Sequence, residues 1–270
     1  MSRGGVTVKV ANAMHALLFA ILVALAVSPR AGATPIEAAA DSYRRYLIAD
    51  IGQALAGARA LRERIAANDL AGAKKAWIAA RVGWERSEVF TSGFVPELDQ
   101  AIDAWPNASH GFHGIEATLF GAGRIDAGVE TDALISHLTD LHEQLEHVDF
   151  APQRLLNGVV RLAFEIGGNK ADGGESRLSG SSLNDMQSNA DGIALAYRVI
   201  FADAVAAADS KLAAAADAAI ERLQAAVKIS DLRNLEADTL RADSEELIAL
   251  LQMAAPKIGL GKPTLEEGAR

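Results

Sequence analysis

The chain reads as an all-α protein of up-and-down helices, and three observations predict that class. Ala, Leu, Glu, Lys and Arg dominate while aromatics are only 5%, a balance that favours helix over strand. Apolar residues recur with a period near 3.6 along nearly the whole chain beyond residue 33. No segment alternates apolar and polar residues as a half-buried strand does. The helices fit one bundle or two.

Taken in order, residues 1–33 read as a secretory signal. Arg3 and Lys9 give a positive start, Ala16 to Val27 is an apolar run of 12 residues, and Ala31-Gly32-Ala33 is a small-x-small cleavage site. The run is too short for an ordinary membrane span, so the expectation is a soluble mature chain beginning near Thr34 in the periplasm. A first helix is expected from Ile36 to about Ala67, broken by Asn68-Asp69, and a second from Leu70 to Thr91, stopping near Gly93. A short acidic helix covers Pro96 to Ala104 and ends at Trp105-Pro106-Asn107. The next helix carries His113 and Glu116 and ends near Gly121-Ala122-Gly123. Thr131 to His147 follows, with Leu134, Leu138, Leu141, Leu145 and Val148 in heptad-like steps.

Phe150-Ala151-Pro152 separates a half at 34–150 from one at 151–270, with no sequence repeat between them. Gln153 to Ile166 is helical. Gly167 to Gly180, with five glycines, is the least helical stretch. Helices then run from Leu183 to Ala207, Asp209 to Ile229 and Ser244 to Ala254.

Removing the leader takes away Arg3, Lys9 and Arg30 and no acid, which leaves 35 acids against 23 bases, net −12. That charge repels nucleic acid and anionic membrane surfaces and suits cation capture. The chain has no cysteine, which excludes zinc–thiolate, iron–sulfur and cysteine-nucleophile chemistry. The glycine-rich stretch lacks the ending of a phosphate-binding loop, and neither a serine elbow nor a His-Glu-x-x-His pair occurs.

Chemistry concentrates elsewhere. His113 and Glu116, three apart on a helix, bring an imidazole and a carboxylate to one face. Trp77, Ala80, Arg81, Trp84 and Glu88 form a continuous stripe whose aromatics mark it as buried. An inward Glu88 needs a hydrogen-bond partner, a cation or a proton, with Arg81 or Arg86 as the simple pairing. Asp99 and Asp103 sit four apart, so their charges repel unless a cation or Arg compensates. His110 joins the same site or caps its helix. His137, His142, Glu146 and His147 lie beside the leucine stripe and read as solvated surface.

Together these pieces resemble the imelysin-like family, which includes the EfeO/EfeM-type iron-uptake components. The resemblance rests on Ala76-Trp77-Ile78-Ala79-Ala80-Arg81 with Trp84-Glu85-Arg86-Ser87-Glu88, then Leu98-Asp99-Gln100-Ala101-Ile102-Asp103. It continues through Gly111-Phe112-His113-Gly114-Ile115-Glu116, which fits the family's Gly-x-His-x-x-Glu signature. Downstream, Asn169-Lys170, Gly174-Glu175-Ser176-Arg177-Leu178-Ser179 and Leu183 to Gly192 look like the opening of the family's second half. Gly174 stands where an acid is expected. The order holds over about residues 40–200.

The resemblance implies a two-lobed helical bundle with the signature between the lobes, in the short form that lacks a cupredoxin domain. It implies a periplasmic metal-binding component of an iron-uptake system. Its partners would be an inner-membrane iron permease and a periplasmic peroxidase-like protein. On this reading His113 supplies nitrogen, with Glu116, Glu88 and Asp103 as carboxylate ligands and Asp99 next. His110, Glu165, Glu175 and Asp185 stand in second rank. Iron leads as the metal; an oxygen-rich set with one imidazole also accepts Mn or Zn, with Cu further back because Cu(I) prefers sulfur. Affinity should fall as pH drops toward about 4–5, where carboxylates protonate. The alternatives are an imelysin-type metallopeptidase and a protein that binds acidic polysaccharide through a bridging cation.

Overall fold

The computed structural model describes residues 33–103 and 109–265. The expected leader, up to residue 32, and the Trp105-Pro106-Asn107 stop lie outside the described residues. Thr34 caps the first helix: its side chain and Glu37 form a reciprocal capping box, with Pro35 in the first turn. Helix α1 spans Pro35–Ala66 and α2 spans Leu70–Phe94. The turn between them places Asn68 at φ 55°, a left-handed conformation that Asn tolerates, and Asp69 then caps α2 through the Gly72 amide.

Helix α3 covers Pro96–Asp103, and α4 covers Gly111–Glu116 before widening into a π-helical turn over Ala117–Gly121. Then come α5 (Gly128–Gln144), α6 (Pro152–Gly167), α7 (Ser182–Ala196), α8 (Ala202–Ala208), α9 (Ser210–Val227) and α10 (Ala237–Ala254). The single helix expected from Leu183 to Ala207 is interrupted by a second π-helical turn at Tyr197–Phe201. Helix α10 begins earlier than expected, because Leu240 extends the buried stripe of Leu247 and Leu251 backward through a charged surface. No strand forms among the described residues, so the all-α class stands. No described helix is long and apolar enough to cross a membrane.

Helix α2 is the hub. It pairs with α1 as a helical hairpin and also packs on α6 and α7, while α5 covers α1, and α9 and α10 flank α7 and α6. Gly158 on α6 meets the Val89 carbonyl so closely that a Cβ there would overlap it, which brings the two helix backbones together. Trp77 and Trp84 are fully buried on the inner face of α2. Each such ring removes about 150–250 Å² from water, worth on the order of 4–6 kcal/mol at ~25 cal/mol per Å². The face that carries them also carries charge, and the candidate site lies there.

Candidate metal centre

Arg81 organises the site. It is 1% exposed and lies over the faces of Trp77 and Phe112, with its guanidinium carbon 5.2 and 5.4 Å from the ring centres. Its Nη1 donates to both Asp103 oxygens at 2.9 and 3.1 Å. The same guanidinium bonds Glu85 one turn along α2, Glu175 at 3.3 Å and both Asp185 oxygens at 3.3 Å. Trp84 Nε1 adds a 2.6 Å bond to Asp103 Oδ2, and the Ser176 hydroxyl donates to Asp185.

Lys170 is the second buried cation. Its Nζ lies 3.1 Å from Glu85 Oε2, 3.0 Å from Glu88 Oε2, 2.9 Å from Glu175 Oε2 and 2.8 Å from Asn189 Oδ1. Asn189 Nδ2 donates in turn to Glu85 Oε2 at 2.9 Å and Glu88 Oε2 at 2.8 Å.

The His113–Glu116 pair closes the opposite side. Gly111, at φ 63°, packs against the Ile102 carbonyl where no Cβ would fit, so α4 starts directly on the end of α3 and His113 is pressed toward Asp103. His113 Nδ1 lies 3.2 Å from Glu116 Oε2 and Nε2 lies 3.2 Å from Asp103 Oδ1. Glu116 is held by the Ser179 amide at 2.8 Å and hydroxyl at 2.7 Å. The buried Nε2 has no hydrogen-bond partner. Nε2 thus stands at ion-pair distance from Asp103 without a hydrogen bond to it, an arrangement that a proton or a cation between them would satisfy.

Five carboxylates, Glu85, Glu88, Asp103, Glu175 and Asp185, thus face two permanent cations, Arg81 and Lys170, while Glu116 faces His113. The surplus shows in the ionisation. Burial pushes Glu175 up to about 7 against the pull of Lys170, and pushes Asp185 up to about 6 against that of Arg81. Burial and the Glu85 charge hold Glu88 well above the carboxylate range. Glu85 goes the other way: Arg81 and Lys170 outweigh its burial and hold it at about 2. Burial opposes a charged His113, but Asp103 and Glu116 outweigh it and hold the imidazole above its ordinary value. Burial opposes the Glu116 charge as well; the bonds from His113 and Ser179 hold it low. Two groups bring ligand atoms within 4.8 Å of one another: Asp103, His113 and Glu175; and Glu85, Glu88, Asp103 and Glu175. An imidazole with several carboxylate oxygens suits Fe, Mn or Zn.

The structure therefore brings His113, Glu116, Asp103, Glu88, Glu175 and Asp185 together. Glu88 pairs with Lys170 and Asn189, not with Arg81 or Arg86; Arg86 points to Asp50 and Gln53 on α1. Asp99 and Glu165 belong to an adjoining group around Arg161, which bonds Glu165 at 2.7 Å and the Glu88 carbonyl at 2.7 Å. Burial there pushes Asp99 up to about 6. His110 stands apart, exposed, with its ring on the Gln100 carbonyl at 3.1 Å. Glu85, Lys170, Asn189 and Ser179 complete the site, although sequence reasoning places them only in the motifs and gives them no role there. Glu85 was within reach, because it lies four beyond Arg81 on the stripe already traced.

A family model described as imelysin, peptidase M75, matches residues 39–110 and 107–256. The iron uptake system component EfeO of Yersinia pseudotuberculosis is 29% identical over 160 residues, 56% of this chain and 42% of that protein. The iron uptake system component EfeM of Pseudomonas syringae pv. syringae is 28% identical over 162 residues, 56% of each chain. The chain spans about half the length of these curated relatives. A solved structure from Parabacteroides distasonis, provisionally named an iron-regulated protein A precursor, aligns with a TM-score of 0.65 at 18% identity. That alignment covers 84% of this chain and 97% of the other, and it shows a shared fold. With the family model matching most of the described chain, this protein belongs to the imelysin family.

Proposed function

We propose that this chain captures iron outside the cytoplasm as a component of an iron-uptake system. One observation carries the reading: buried His113 Nε2 lacks a hydrogen-bond partner and faces a pocket where carboxylates outnumber fixed cations. A divalent ion among Asp103, His113 and Glu175 would satisfy the nitrogen and offset the surplus charge. The relatives named as iron uptake components support iron as cargo. On this proposal residues 1–33 export the chain to the periplasm, the halves 34–150 and 151–270 form two walls of one site, and an inner-membrane permease receives the ion. A periplasmic peroxidase-like protein is the second partner.

The test is anaerobic Fe²⁺ titration of the exported protein, with metal analysis of protein purified from the periplasm without added metal. His113→Ala, Asp103→Asn and Glu175→Gln should each weaken binding by tenfold or more. Unchanged affinity in all three would remove the assignment. Chelator-sensitive cleavage of an unfolded protein, lost in Glu116→Ala, would instead favour the metallopeptidase reading.

A further inference from the structure

We propose that the Lys170 ammonium is the resident cation of this pocket and that an arriving metal ion expels it. The inference rests on the metal-binding reading above and adds to it how the site is filled and emptied.

Four oxygens from four residues surround Nζ at 2.8–3.1 Å, supplied by Glu85, Glu88, Glu175 and Asn189. This is the arrangement of a cation cage of oxygen donors, with spacings wider than the 2.0–2.6 Å that Mg²⁺ or Ca²⁺ takes. Three of the four belong to the carboxylates whose oxygens already lie within 4.8 Å of one another. Glu175 is the shared element, because it also completes the trio with Asp103 and His113. The orphaned His113 Nε2 is a second and separate sign that the pocket is built for more than lysine.

A metal ion drawing in Glu175 takes a carboxylate from Lys170 and sets a second positive charge a few ångströms from the ammonium. A buried ammonium is tolerated only while it is paired. The side chain then has reason to leave, and its four-carbon stem provides the reach. Lys170 sits in the turn segment after α6, between exposed Asn169 and partly exposed Ala171. Its amide is tied to the Glu165 carbonyl at 3.0 Å, so the backbone can stay anchored while the side chain swings out. Loading then exposes a lysine, and its return favours release of the ion.

Acetylation of the wild-type protein by an amine-reactive ester, read residue by residue by mass spectrometry, tests this without a variant. With saturating Fe²⁺ under anaerobic conditions, Lys170 labelling should rise at least fivefold while Lys75 and Lys211 stay constant. Constant or reduced Lys170 labelling overturns the proposal. Lys170→Met should bind Fe²⁺ about tenfold more tightly than wild type and show a larger metal-induced rise in Tm; equal or weaker binding counts against displacement. If that variant fails to fold, the labelling result decides. Should wild type not bind Fe²⁺ while Lys170→Met does, displacement stands and the cargo reading fails for the wild-type chain. If neither binds, both fall.

Discussion

His113 Nε2 and Asp103 Oδ1 lie 3.2 Å apart with no hydrogen bond between them. On the other side of the ring, Nδ1 faces Glu116 Oε2 at the same distance. A neutral imidazole carries one proton, so one of its nitrogens must turn a lone pair toward a carboxylate. Only a second proton or a cation relieves that opposition. The held-up ionisation of His113 is the proton's answer, and a metal ion would take its place. Binding of one Fe²⁺ near pH 6.5 should therefore release about one proton or more. Calorimetry in buffers of differing ionisation enthalpy measures this, and zero release would contradict the assignment of His113 as a ligand.

Ser179 reaches Glu116 with both its amide and its hydroxyl, and so it orients the carboxylate that faces His113. Ser179→Ala removes one of the two bonds. We expect a stability loss of about 1 kcal/mol and iron affinity lower by roughly 10-fold, in line with other partners that orient metal ligands. A stability change with no change in affinity would mean that Ser179 only braces the turn.

The metal-free protein should lose stability as pH rises from 5 to 8. Glu175, pushed up to about 7, and Asp185, pushed up to about 6, are protonated more readily folded than unfolded. Their contribution is complete below the ordinary carboxylate range and disappears as pH passes through the raised values. Raised Glu88 and raised His113 act in the same direction. Depressed Glu85 and Glu116 are complete above about 4.5, so they do not offset the trend in this window. The Tm should fall by on the order of 5 °C, and by less with saturating iron. The same values move the loss of metal affinity up to about pH 7–6, above the 4–5 that ordinary carboxylates lead one to expect. Paired thermal scans and titrations at pH 5, 6, 7 and 8 check both statements.

Gly111→Ala places a Cβ against the Ile102 carbonyl at a positive φ. The expected cost is about 1–3 kcal/mol. Because α4 must then shift off α3, iron affinity should drop as well. Urea denaturation and Fe²⁺ titration on the same preparation separate the two effects.

Much of this was legible in the sequence. The period of the apolar residues locates most of the helices within a few positions, the start of α10 and the break at Tyr197–Phe201 excepted, since burial of one face is what the pattern encodes. The juxtaposition of His113 and Glu116 is legible because both lie on one short helix, where spacing determines geometry. What escaped was long-range. Lys170 and Asn189 lie over 80 residues beyond Glu85 and Glu88 in sequence, and no local period carries their pairing. Arg81, a simple partner for Glu88 on periodicity, instead binds four other carboxylates. The start of α10 was hidden because Leu240 sits among charged neighbours.

The close seating of α6 on α2 at Gly158 has a mechanical consequence. Arg81, Glu85 and Glu88 ride on a rod clamped backbone to backbone, whereas Lys170, Glu175 and Ser179 ride on turns between α6 and α7. The pocket therefore has one wall fixed to a packed helix pair and one wall carried on turns. We expect the helical wall to govern which ion fits and the turn wall to govern how long it stays. Substitutions on α2 should therefore alter selectivity, while those at 168–181 should alter residence time.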